Sequence, residues 1–436
     1  MFAFIKRFFN KKPINTNPSK EKKDYILSTK LEDNLNYFMP YVNRNVDVIY
    51  RPITLNTVNG TQAAVIYISG IADQDFLQRD ILRPLMNHIN GEDFKSNGIN
   101  YLIDFLYKSS ITVGKISQTN DKNKILNSIF DGLVVIMIDG HNQAIMVDIT
   151  HPEHRSIDEP PTERTQKGSR EGFVEDLTVN ISLIRKRLPD PNLIIEESKV
   201  GRRTRTDVAI VFIEDIADPN IVQAVRDKIN NIDIDGITSL GEIEQLMEDN
   251  PYSVFPQFMT TERPDRVVAQ LLEGRIVIIT SNSPEAMILP SIFIGFLQAS
   301  EDYSDRPYVA TVNRMFRYLA FVLSISLSPL YIALLSFQPE LIPFDLLVTL
   351  IQAREKVPFP VVVEVLIQEA IIQLVVEAGL RLPVTIGQTV GVVAGIILGQ
   401  AAISANLASP AIIIIVAMTT IATYSLPNYS MVLATR

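Results

Sequence analysis

The sequence has no cysteine, no tryptophan and only four histidines in 436 residues. Without cysteine there are no disulfides, no thiolate metal ligands and no thiol nucleophile, and four scattered histidines leave few ways to build a zinc site. The want of disulfides suits a chain that faces the cytoplasm. An excess of basic charge is missing too: 40 Lys and Arg against 49 Asp and Glu give a net charge of −9. Such a balance disfavours nucleic acid as a partner, since that needs a basic face. Charge of either sign is nearly absent from one region. Residues 318–436 hold ten of the 89 charged side chains, and the preceding 317 hold the rest. The first part is written for water and the second for lipid, so at least two domains are expected.

Met1–Phe9 is short, aromatic and broken by Lys6 and Arg7, with no apolar core or small-residue cleavage site after it, so no signal peptide is expected. Lysines 11, 12, 20, 22 and 23 then lie among Asn, Pro and Ser. Residues 1–39 are expected to be a disordered basic arm, with contact to anionic lipid as the alternative.

Two stretches of the soluble part repeat one another. Ala64-Val-Ile-Tyr-Ile-Ser-Gly-Ile-Ala-Asp73 matches Ala209-Ile-Val-Phe-Ile-Glu-Asp-Ile-Ala-Asp218. Each is an apolar strand with an Ile-Ala-Asp exit into a helix. About sixty-five residues later each copy meets a second strand behind an acidic-Gly stop, Asp131-Gly-Leu-Val-Val-Ile-Met-Ile138 and Glu273-Gly-Arg-Ile-Val-Ile-Ile279. Continuous β-branched runs of this length suit strands covered on both faces. Helices are expected around 76–90 and 99–108 in the first copy, and 219–230 and 239–249 in the second. The fold class is therefore an α/β head of two similar subdomains, 40–155 and 191–290, followed by an all-α transmembrane domain.

The joining segment 156–190 begins in Glu159-Pro-Pro and runs through Glu163, Arg164, Lys167, Gly168, Ser169, Arg170, Glu171, Gly172 and Phe173. A helix from about Val174 to Leu188 follows, closing on Arg185-Lys-Arg187, where cations suit the negative end of the dipole. A basic glycine loop before a helix can cradle phosphate, but this one has neither Walker nor dinucleotide spacing, and a packing role is favoured. His141, His151 and His154 cluster in sequence without ligand-like or catalytic spacing. No cofactor, metal or enzymatic activity is expected.

Four spans are expected in the C-terminal part, at about 318–337, 361–378, 384–405 and 410–426. Pro329 should kink the first, with Ser326 and Ser328 available to the freed carbonyls. In the second, Glu369, Gln373 and Glu377 recur every fourth residue and form a stripe about eighty degrees wide. Carboxylates are costly in hydrocarbon, so these three are the candidates for an ion path or a partner contact. In the third, Gly387, Gly391, Gly395 and Gly399 make overlapping Gly-x-x-x-Gly units, a ridge for close helix packing. Ala286–Leu297 and Leu341–Gln352 are too short to cross and read as interfacial or re-entrant, and 291–317 as an interfacial connection. Arg314, Arg317, Arg381 and Arg436 place the head on the cytoplasmic side.

With these residues in view, the chain resembles the A subunits of spore germinant receptors. The resemblance rests on Glu163–Phe173, Glu175, Asn180 and Arg185–Arg187. Pro251-Tyr-Ser-Val-Phe-Pro-Gln257, Thr261-Glu-Arg-Pro-Asp265, Glu301-Asp302-Tyr303, Arg306-Pro307 and Arg314 extend it. It implies a multi-pass protein of the spore inner membrane, working with a transporter-like B subunit and a lipoprotein C subunit. It further implies a homo-oligomeric ring, contacting membrane lipid, whose helices release ions after a nutrient is sensed. The rival reading, a secondary transporter or cation-coupled carrier, would require an inverted repeat among the spans. The four expected spans contain none.

Overall fold

A computed structural model describes residues 25–56, 60–87, 99–101, 116–149, 160, 163, 165, 167–383 and 395–436. They form two compact units. The first comprises the described residues up to Pro160, Glu171–Met247 and Thr260–Pro290, and the second Pro161–Arg170, Glu248–Met259 and Ser291–Arg436.

The first unit holds two five-stranded sheets. The strands are β1 Val48–Thr54, β2 Gln62–Ile68, β3 Ile116–Thr119, β4 Val134–Ile138, β5 Ala144–Val147, β6 Leu193–Val200, β7 Thr206–Ile213, β8 Met259–Thr261, β9 Ile276–Thr280 and β10 Ala286–Leu289. One sheet has the order β1-β2-β4-β5-β3 and the other β6-β7-β9-β10-β8, the same topology used twice. The register repeats as well. Ala64 pairs with Met137, and its counterpart Ala209 pairs with Ile279, which is the counterpart of Met137 when Asp131-Gly132 is laid on Glu273-Gly274.

The ends of the repeated motifs have the same jobs. Asp73 and Asp218, the last residues of the two Ile-Ala-Asp exits, each cap a helix by accepting a backbone N–H, from Phe76 and from Asn220. Gly132 and Gly274 take φ of 93° and 85° just past the helices Lys122–Phe130 and Pro264–Leu272, the left-handed turn that lets a helix stop and a strand begin.

Both sheets run antiparallel. The unbroken apolar runs reported burial on two faces and carried no information on strand direction. In the first sheet Ala63, Val65, Val134 and Ile136 enter one core, and Ala64, Ile66, Val135 and Met137 the core on the opposite face. Helices supply both covers. They are α1 Leu31–Arg44, α2 (Gln74–Phe76, the π-helical Leu77–Leu82 and Arg83–Asn87), α3 Lys122–Phe130, α4 Leu177–Arg187, α5 Pro219–Asn230, α6 Leu240–Met247 and α7 Pro264–Leu272.

Two expectations fail here. Residues 31–39 belong to α1 and not to a disordered arm: Leu31, Leu35, Phe38 and Val42 make an apolar stripe at helical spacing that the surrounding Asn and Tyr disguised, and Phe38 is wholly buried. Ala286–Leu289 is no interfacial segment but the buried strand β10, since four apolar residues look alike in a sheet and in lipid.

The second unit is helical: α8 Pro307–Ser336, α9 Phe344–Arg354, α10 Val361–Arg381, α11 Gly395–Ser404, α12 Pro410–Tyr424 and α13 Tyr429–Ala434. Tyr331, Val361, Val365, Ile412 and Val416 form its core, drawn from α8, α10 and α12. Among the described residues only α8 is long and apolar enough to cross a membrane unaided. Its 30 residues reach about 45 Å at 1.5 Å each, against a hydrocarbon thickness of about 30 Å. α10 is as long as a span but carries Glu364, Glu369, Glu377 and Arg381, and α12, at 15 residues, reaches about 22 Å. Half of the expected third span, residues 384–394, lies outside the described residues.

Candidate functional site

The polar groups of α10 separate into three environments. Glu364 is fully buried. It accepts from Arg354 Nε at 3.2 Å and from the backbone N–H of Ser409 at the start of α12, while Arg354 also reaches the Phe359 carbonyl at 3.3 Å. One guanidinium and one amide therefore neutralise it within the chain. Glu377, near the exposed end, accepts from Arg381 one turn on, at 2.7 Å. Gln373 is exposed beside it. Of the expected stripe, Gln373 and Glu377 are exposed, with Arg381 beside Glu377, and Glu369 alone meets side chains of other helices. Arg381 appears in sequence only as a topology marker, and folding turns it and Arg354 into counter-ions.

Glu369 differs. It is half-buried between α8 and α12, and its partners are hydroxyls: Ser328 Oγ donates to Oε1 at 3.3 Å, and Thr419 Oγ1 lies 3.4 Å from the same oxygen. Thr419 has one hydroxyl proton and a better acceptor for it, the Val416 carbonyl at 2.8 Å. The carboxylate competes with that carbonyl for the one proton, from the longer distance. The three residues line a cavity of about 470 Å³ with Ser324, Thr420 and Thr423. Pro329 also faces this cavity and has no N–H, so the Ile325 carbonyl four residues earlier loses its helical donor. Ser326 does not repair this, since it bonds Val322, and Ser328 is committed to Glu369. The wall of the cavity is thus rich in oxygen acceptors inside an apolar bundle. Arg436 also lines it, its guanidinium over the Tyr424 ring at 5.1 Å.

A second polar centre lies ahead of α8. Asp302 is buried and accepts from Arg314 Nε at 3.0 Å, from both terminal nitrogens of Arg317, and from the Ala299 N–H at 3.3 Å. Burial alone would raise its pKa; the bonds from Arg317 and Arg314 outweigh that and hold the carboxyl below its ordinary value. Arg317 also donates to the Leu297 carbonyl at 2.9 Å, and Arg314 lies 5.9 Å from the Tyr303 ring. Glu301 is half-buried in the same turn, and Arg306 is exposed at the N-cap of α8.

The remaining sequence candidates divide by unit. In the second, Lys167 pairs with Asp305 at 3.0 Å, Gly168 takes φ 116° and Arg170 is exposed. Glu163 is half-buried. In the first, Glu171 pairs with Arg187, Gly172 is buried, and Phe173 is buried with its N–H donating to the Glu262 carbonyl at 2.8 Å. Arg185 is not a solvated cation at a helix end. It is fully buried and grips Asp47 with Nε and Nη2, each at 3.0 Å, while Nη2 also reaches Asn45 and Nη1 the Leu193 carbonyl. Sequence gave no hint of this, since Asp47 lies 138 positions away. A Cβ on Gly395 or Gly399 would meet nothing within 4 Å among the described residues, so the described half of the glycine ridge has no partner there. Gly387, Gly391, Arg164, His151 and His154 lie outside the described residues. Burial lowers the pKa of His141. Among the described residues no group of three or more His, Asp or Glu is placed to hold a metal.

The profile of the Bacillus/Clostridium GerA spore germination proteins matches residues 36–436. Spore germination protein KA of Bacillus subtilis (strain 168) is 37% identical over 416 residues, covering 95% of this chain and 75% of that protein. Spore germination protein GerQA of Bacillus cereus is 38% identical over 379 residues, 86% of this chain and 74% of that one. A crystal structure of the N-terminal domain of the A subunit of the Bacillus megaterium spore germinant receptor GerK3 aligns over 62% of this chain and 97% of its own. The sequence identity there is 31% and the TM-score 0.48. The extent of the profile match and the near-full coverage at these identities establish that the chain belongs to the GerA family of spore germination proteins.

Proposed function

We propose that this chain is the A subunit of a nutrient-responsive germinant receptor in the spore inner membrane, with its sheet-bearing head on the cytoplasmic side. It binds and gates; it does not catalyse. In this reading its helical unit is multi-pass and copies of it assemble around an axis, beside a transporter-like B subunit and a lipoprotein C subunit. Germinant sensing by the complex then leads to ion release through the helices. Family membership supports the role in germination. The ion path rests on one observation: Glu369 sits in an apolar bundle with hydroxyl oxygens, not cations, as its described partners.

An unpaired carboxylate in such a place is costly unless a mobile cation or proton visits it. Hydroxyls and a freed carbonyl supply hard oxygen ligands, and the Glu369 carboxylate among them favours a cation as visitor. Glu364, already neutralised by Arg354, ties α10 to the start of α12, and Glu377 pairs with Arg381 on its own helix; neither lines the cavity. Glu369→Gln keeps the size of the side chain and removes its charge. Spores carrying it are expected to hold wild-type levels of receptor and to release ions at least tenfold more slowly on germinant addition. Wild-type release with normal receptor levels overturns the path, and loss of the receptor itself reassigns Glu369 to structure.

A further inference from the structure

The segment between β10 and α8 presents three successive large apolar side chains outward. Ile292, Phe293 and Ile294 are 55%, 48% and 51% exposed, while Phe296 and Leu297 behind them are buried. Two contacts fix its height along α8. Arg317 holds the Leu297 carbonyl at 2.9 Å, and the Phe293 ring meets the Phe321 ring edge-on at 5.1 Å. Arg314 and Arg317, paired with Asp302, are the last charges before the uncharged run that starts at Tyr318. Phe293 thus lies one turn beyond the charged level, four residues or about 6 Å along the helix.

That depth decides the occupant. Charges belong among headgroups, and interfacial apolar residues sink about 5–10 Å below them. We propose that Ile292, Phe293 and Ile294 form an interfacial anchor immersed at the boundary between lipid headgroups and acyl chains, with the Asp302–Arg314–Arg317 cluster marking the headgroup level. The inference rests on α8 spanning the bilayer. The short helical turn Phe293–Leu297 satisfies several of the backbone groups that this depth leaves without water, Gly295 N–H donating to Ile292 O at 2.8 Å, Gln298 N–H to Gly295 O at 3.2 Å, and Arg317 serving Leu297. Its inner face packs on α8 and its outer face has nothing polar to offer water.

The chain has no tryptophan, so a single substitution gives a unique fluorophore. Phe293→Trp, Ile294→Trp and, as a depth control, Leu330→Trp are to be made in the full chain, reconstituted in phosphatidylcholine–phosphatidylglycerol vesicles. Lipids brominated near the headgroup or near the chain terminus serve as quenchers. Trp at 293 and 294 is expected to be quenched about twofold more by the shallow than by the deep bromines, and to resist aqueous acrylamide. Trp at 330 should show the reverse depth preference. Quenching of 293 and 294 by acrylamide and not by lipid puts this surface in water and overturns the anchor. Protection from both quenchers means that protein covers it, a second copy or a partner, and overturns it equally. If Trp at 330 also escapes the bromines, the spanning role of α8 falls and the anchor falls with it. The Ile294 variant keeps the Phe293–Phe321 contact, so the result does not hang on that ring.

Discussion

Asp47 in the sheet-bearing unit and Glu369 in the helical unit are carboxylates set among apolar side chains, and they are held by opposite means. Asp47 receives two guanidinium bonds from Arg185, both ends of the pair being almost wholly excluded from solvent. Glu369 receives a hydroxyl bond and faces the oxygen of another. The contrast recurs within α10, where Glu364 resembles Asp47 and Glu369, five residues on, does not. A paired buried charge costs its desolvation once, at folding, and then fixes geometry. One left to hydroxyls stays available to a mobile cation. In this chain the ion-paired Asp47 and Glu364 tie elements together, and the proposed path is assigned to Glu369, which meets hydroxyls instead.

The comparison can be broken at several points, and the largest effect is expected at the Asp47–Arg185 pair. Arg185→Ala would leave Asp47 buried and alone, and removing one partner of such a pair costs about 3–5 kcal/mol. Thermal unfolding of the purified chain should show the first unit melting well below wild type, and an unchanged melting curve would deny Arg185 this role. Asp302→Asn should cost less, about 1.5–3 kcal/mol for the charge-assisted bonds lost, since Arg314 keeps contact with solvent. Hydrogen exchange across residues 297–310 would report the released segment.

The same cluster makes a pH prediction whose sign is fixed. The folded-state pKa of Asp302 lies below its ordinary value of 3.8. Its contribution is therefore complete above that value and fades only as pH falls through the lower, folded pKa. Protection of 297–310 should hold down to about pH 4 in wild type and be weak at every pH in Asp302→Asn. The smallest effect on the isolated chain is expected at the glycine ridge. Gly395→Leu meets open space among the described residues, so chain stability should shift by less than about 0.5 kcal/mol. Assembly should nonetheless fail if the ridge packs against another copy. Normal assembly by native mass analysis would make the ridge incidental.

Much of the sheet-bearing unit was legible in the sequence because its information is local. Strand-length β-branched runs, the Ile-Ala-Asp caps and the Asp-Gly and Glu-Gly stops each act within a few residues. Their repetition carried the duplication without any knowledge of tertiary contacts. The stripe of Glu369, Gln373 and Glu377 was legible only as spacing. Helical periodicity says which side chains share a face, but not what stands opposite. Arg381 took Glu377, hydroxyls of α8 and α12 surrounded Glu369, and the buried carboxylate proved to be Glu364, four residues before Gln368 and off the stripe.

The sequence by itself determined that the chain has a water-borne part and an apolar part, that the first is built twice on one plan, and that neither disulfides nor thiolate chemistry enters. These follow from composition and short-range periodicity, which survive in any conformation. Tertiary structure alone decided strand direction, the pairing of Arg185 with Asp47, the conversion of Arg314 and Arg317 from topology markers into counter-ions, the pairing of Arg354 with Glu364, and the hydroxyl surroundings of Glu369. Each depends on which distant side chain arrives within hydrogen-bond reach, and a buried charge is assigned its role by the group that meets it there.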